Sequence, residues 1–160
     1  MSADRVAGLV VRFESIARTR MAGVPILHAG LCVEAVGFAP SGEGDDAVLI
    51  GVLVTPWSMN LLRLPLAAAT MAAAGMSRWR PLGDGEIEFL GAHDEVLGAY
   101  EQCSLFSPMG GFRDAAHARE TAEAVLAMLR PAPAPAPTRP AEPAPARRAF
   151  LFGRGAATVP

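Results

Sequence analysis

From Ala47 to Ser77 the chain runs for 31 residues with one charged side chain, Arg63. A stretch this apolar must leave water, either for a protein core or for a bilayer. Its punctuation separates the two. Pro56 and Pro65 break the run, and Gly51 and Asn60 lie inside it. No uninterrupted piece reaches the about 20 apolar residues of a spanning helix. The segment Ala47-Val-Leu-Ile-Gly-Val-Leu-Val-Thr55 is β-branched and uncharged, so it reads as a buried strand that Pro56 ends. Beyond it an apolar loop or short helix is expected, with Ala67–Gly75 forming one helical turn or two.

The remaining pattern builds around that strand. Residues 4–22 place Val6, Leu9, Val10, Phe13, Ile16, Ala17 and Met21 at steps of three and four, as in an amphipathic helix ended by Gly23 and Pro25. Residues 31–38 read as a strand, joined to 47–55 through the acidic, glycine-rich turn Pro40–Asp46. Residues 87–90 and 96–106 read as a second hairpin, with 91–95 as its turn. Residues 114–130 form a second helix. The expectation is an α+β fold: an antiparallel sheet of about four strands, packed by the N- and C-terminal helices.

Proline then ends the foldable chain. Seven prolines between Pro131 and Pro145 alternate mostly with alanine, a pattern that neither joins a β-ladder nor packs a core. Three regions follow: a domain at 1–130, a disordered Pro/Ala linker at 131–146 and a tail at 147–160. At about 3.1 Å per residue the linker reaches roughly 50 Å. Charge divides at the same boundary. Residues 1–130 hold 10 arginines against 15 acids; residues 131–160 hold four arginines against Glu142 alone. An acidic body argues against nucleic-acid binding.

Composition removes several chemistries. The chain has no lysine, which excludes a Schiff base, a P-loop lysine and a lysine general base. Zinc-protease, CxxC, dinucleotide-binding and nucleophile-elbow motifs are missing. Cys32, Cys103 and His28 allow a metal site only if folding brings them together; otherwise the thiols are small core residues. The expectation is therefore no enzyme and no cofactor. Met1–Arg5 shows no export signal, and the expected location is the cytoplasm, without stable membrane insertion.

Three segments carry a resemblance: Thr55-Pro-Trp-Ser-Met-Asn-Leu-Leu62, Cys103-Ser-Leu-Phe-Ser-Pro-Met109 and Arg147-Arg-Ala-Phe-Leu-Phe-Gly-Arg154. With Arg20–Pro25 and Val33–Phe38, they resemble the HybE/HupJ family of [NiFe]-hydrogenase assembly chaperones. The resemblance spans residues 5–128 and returns at 147–154. His28-Ala29-Gly30, Ser58 and Ala67–Gly75 depart from the family pattern. The resemblance implies a non-catalytic maturation factor. Its partner would be the hydrogenase small-subunit precursor, and it would delay export, directed by a twin-arginine signal peptide, until assembly is complete. A scaffold recruiting the large subunit or other maturation proteins is the alternative; a Cys/His metal carrier or small enzyme is a further one.

A signal-peptide chaperone needs an apolar groove and acids for the arginine pair. Trp57, Met59, Leu61 and Leu62 follow one strand end, and Phe106 and Met109 follow another. If the two ends are neighbours, these residues form either one adaptable peptide surface or simply core. Glu34 and Glu101 either hold the client's arginines or make ordinary pairs. The tail residues Arg147, Arg148, Phe150, Leu151 and Phe152 match a twin-arginine signal of the form S-R-R-x-F-L-K. They suggest an internal mimic of the client, tethered by the linker.

Overall fold

A computed structural model describes residues 1–67 and 69–130. The linker and the tail motif (Arg147, Arg148, Phe150, Leu151 and Phe152) lie outside the described residues. The element order is α1 (Ser2–Arg18), β1 (Glu34–Ser41), β2 (Val48–Val54), β3 (Met59–Pro65), β4 (Ser77–Leu82), β5 (Gly85–Asp94), β6 (Gly98–Phe106) and α2 (Ala115–Leu129), with a single 3-10 turn at Gly44–Asp46. The fold is α+β, as expected, but the sheet has six strands, not four, in the order β1-β2-β3-β6-β5-β4. All five pairings are antiparallel.

The long apolar stretch resolves into β2, β3 and a crossover, residues 66–76, that carries the chain to the far edge of the sheet. No described helix is long and apolar enough to cross a membrane. Among the described residues of the crossover there is no helix, where one helical turn or two had been expected. Every residue of β2 is buried, because both of its faces are covered. Val48, Ile50, Val52 and Val54 join Met59, Leu61 and Phe89 beneath α2. Leu49 and Leu53 join Leu62, Leu64 and Tyr100 beneath Leu9 and Phe13 of α1.

α1 ends four residues before the expected limit. Thr19 leaves helical geometry, and its hydroxyl donates to the Ser15 carbonyl at 2.7 Å. α2 is capped by Asp114, whose carboxylate accepts the His117 N–H at 2.8 Å, as an N-cap should. Its buried positions are Ala118, Ala122 and Leu126; two of the three are small, which lets the helix lie close to the sheet. Both sheet edges reach its C-terminal end, where Ala39–Ser41 of β1 and Leu82 of β4 border one cleft.

Candidate peptide-binding surface

The two motif-bearing strand ends are neighbours. Met59 at the start of β3 pairs with Phe106 at the end of β6. The turn between β2 and β3 is held by Thr55: its Oγ1 accepts the Ser58 N–H at 2.9 Å, and its own N–H donates to the Ser58 carbonyl at 2.8 Å. A third segment, the loop after α1, joins them through His28. The His28 backbone N–H donates to the Pro56 carbonyl at 2.8 Å. Its ring Nδ1 accepts the Gly30 N–H at 3.0 Å, which leaves Nε2 as the donor to the Phe112 carbonyl at 2.7 Å. Both ring nitrogens are engaged, so His28 serves as a clamp between loops.

The expected groove residues divide here. Met59, Leu61, Leu62 and Met109 have no exposed surface; they are core, the second of the two readings open to them. Trp57 is half-buried and lies parallel to Phe13 of α1, with ring centroids 6.5 Å apart. Phe106 remains 41% exposed, edge-on to Phe112 at 5.2 Å. Ile26, 50% exposed, borders a small hollow with Pro108 and Gly110. The exposed apolar surface at this end is thus Phe106, Ile26 and the outer part of Trp57, resting on a buried floor.

Glu101 does not face a partner. It is fully buried and engages arginines of its own chain. Oε2 accepts from Arg63 Nη1 and from Arg80 Nε at 3.1 Å; Oε1 accepts from Arg80 Nη2 at 2.6 Å and from the Ala72 N–H at 2.7 Å. Burial opposes the carboxylate's charge, but Arg80, the Ala72 N–H and Arg63 outweigh it and hold the group below the usual carboxylate range. Arg63 is pushed down by burial, against the pull of Glu101; a guanidinium nevertheless stays charged. Its plane carbon lies 5.7 Å from the Phe89 ring centroid. The one charge in the 31-residue apolar stretch is therefore neutralised inside the sheet, and the same carboxylate ties down the crossover. Glu34 is also taken: Arg119 of α2 donates to it.

Among the described residues no three His, Cys, Asp or Glu side chains converge on a point that could hold a metal. Cys32 is exposed and Cys103 lies half-buried in β6.

Comparison with known proteins bears on what this surface serves. The family model described as "[NiFe]-hydrogenase assembly, chaperone, HybE" matches residues 4–153. The chain belongs to the HybE family. Among its relatives is Protein HoxT of Cupriavidus necator, 44% identical, with 94% of this chain and 89% of that protein covered. The hydrogenase expression/formation protein HupJ of Bradyrhizobium diazoefficiens is 39% identical over 94% of this chain and 86% of its own length. The solution structure of HybE from Escherichia coli superposes with a TM-score of 0.62 at 25% identity, covering 94% of this chain and 90% of that one. The HybE fold accounts for the two helices and the six-stranded sheet. The resemblance drawn from Thr55–Leu62, Cys103–Met109 and Arg147–Arg154 is the one these comparisons return.

Proposed function

We propose that this HybE-family assembly chaperone works by binding, without catalysis, in the cytoplasm, and that its client is the small-subunit precursor of a [NiFe] hydrogenase. It engages the twin-arginine signal peptide and delays export until assembly is complete. The observation that carries this reading is the meeting of the two motif segments at one end of the sheet. There Phe106, edge-on to the buried Phe112, and Ile26, beside Pro108, remain exposed, while Met59 and Met109 are buried. Exposed apolar side chains at a strand end and on the adjoining loop suit the apolar region of a signal peptide, and backing by core residues limits the entropy lost on binding.

Co-purification of the precursor with this chaperone, with and without the signal peptide, tests the reading. Capture that requires the signal peptide and falls at least tenfold with Phe106→Ser supports it. Capture of the large subunit alone transfers the function to the scaffold alternative. Capture of the small subunit irrespective of its signal peptide refutes the binding mode.

A further inference from the structure

α1 covers only part of its side of the sheet. Strand register places Leu62, Gln102, Leu90 and Ser77 in one row across β3, β6, β5 and β4, and Leu62 is beneath α1. Side chains alternate along a strand, so Trp79, paired with Glu88, and Pro81, paired with Glu86, lie on this same side. Toward β4 it is uncovered. Trp79 is 61% and Leu90 43% exposed, and Glu86 and Glu88 are exposed and in no ion pair among the described residues. Arg78 and Arg80 belong to the opposite side, where Arg80 is held by Glu101. The open face thus offers two large apolar side chains and two carboxylates with no cation among them.

We propose that this face docks the chain's own C-terminal motif, Arg147-Arg148-Ala149-Phe150-Leu151-Phe152. Three observations select that occupant. Its composition is complementary, with two adjacent cations followed by three bulky apolar residues. Its attachment is local: a Cβ on Gly83, in the turn joining β4 to β5, would meet the Leu129 carbonyl oxygen. The chain therefore leaves α2 beside the hairpin that carries Trp79, Glu86 and Glu88. The 16 residues 131–146 can span up to roughly 50 Å, against a radius of gyration of about 14 Å for a domain of this size. A second copy fits poorly, because a two-fold contact through this face would gather Glu86 and Glu88 of both copies into one interface with no cation from either face to offset them. Tethering supplies an effective concentration near ~1 mM, so a Kd of about 100 μM keeps the motif docked about nine-tenths of the time.

The docking is independent of the client's identity. A cavity of about 440 Å³ lined by Glu88, Leu90, Gln102, Ser104 and Ser107 continues from this face toward the strand end that carries Phe106.

Two-dimensional amide NMR of the full-length chain tests the proposal. Arg147→Glu with Arg148→Glu should shift amides of residues 77–90. Glu86→Arg with Glu88→Arg should shift those of residues 147–152. Combining all four substitutions should restore the wild-type positions of amides away from the substituted residues, at 77–82 and 150–152. Unshifted residues 77–90 in the tail variant, shifts confined to the hollow between α1 and β1 lined by Val6, Val10 and Phe38, shifts that grow with protein concentration, or failure of the combined variant to restore would each overturn it. Client capture is measured separately, so its loss or survival leaves this result standing.

Discussion

Glu101→Gln isolates what the buried carboxylate does. The change preserves shape and removes one charge. Four donors converge on the two carboxylate oxygens: Arg63 Nη1, Arg80 Nε, Arg80 Nη2 and the Ala72 N–H. A glutamine presents one oxygen and one NH₂, so the NH₂ must face donors it cannot accept from. Two guanidiniums, with side chains only 10% and 15% exposed, lose the carboxylate that pairs them and keep only the weaker pull of Asp46 on Arg63. Removing one partner of a buried ion pair costs about 3–5 kcal/mol, a large share of the about 5–15 kcal/mol that holds a domain of this kind together. With a urea m-value near ~2 kcal/mol per molar, the unfolding midpoint should fall by about 2 M. Hydrogen exchange supplies a local reading. The Ala72 amide loses its acceptor, so its protection should fall further than that of amides in β2. A loss below about 1 kcal/mol with Ala72 still protected would refute the view that this carboxylate anchors the crossover.

Other consequences are testable in the same domain. Gly91→Ala should cost about 1–3 kcal/mol in urea unfolding, because its Cβ would press into the Ala72 and Ala73 carbonyls of the crossover; an unchanged midpoint would mean the crossover yields freely. Asp94 is buried, but Arg12 and the Val96 and Leu97 N–H groups hold it below the usual carboxylate range, as Arg80, Ala72 and Arg63 do for Glu101. The stabilisation from both acids is complete above their unfolded values of about 4. It is lost as pH falls through the lower folded values, so stability should be level from pH 7 to about pH 5 and then decline. Asp94→Asn should flatten that acid limb, and an equally steep limb in the variant would contradict the assignment. Phe106→Ser removes a side chain only 41% exposed and its edge-on contact with Phe112, so unfolding should become easier by about 1–3 kcal/mol; client capture is compared under conditions where the variant remains folded, so that its loss reports on binding.

What was legible in the sequence was whatever has a period. The three-and-four spacing of Leu9 and Phe13 located α1. The uncharged β-branched run located β2. The alanines and leucine at Ala118, Ala122 and Leu126 marked α2. Two strands were not legible. β3 begins two residues after Trp57 and contains Arg63, so its apolar residues read equally well as loop surface or core. β4, Ser77-Arg-Trp-Arg-Pro-Leu82, carries two arginines and a proline and has no apolar alternation, because it is an edge strand with few buried side chains. A signal for it was present in Gly83-Asp84 between Leu82 and Gly85, a two-residue hairpin turn. Gly83 takes the left-handed conformation there, at φ 61°.

The sequence by itself determined the two helices, the burial of β2 and the family. Each follows from local pattern or from short motifs whose order survives in the linear chain. Only the tertiary structure decided that Met59, Leu61, Leu62 and Met109 are floor while Phe106 and Ile26 are surface. The same holds for Glu101, which serves Arg63 and Arg80, and for Glu86, Glu88 and Trp79, which share an uncovered face. Burial, pairing and exposure depend on which distant strand lies alongside. In a sheet ordered β1-β2-β3-β6-β5-β4 the deciding neighbour of β3 is β6, some forty residues further along the chain.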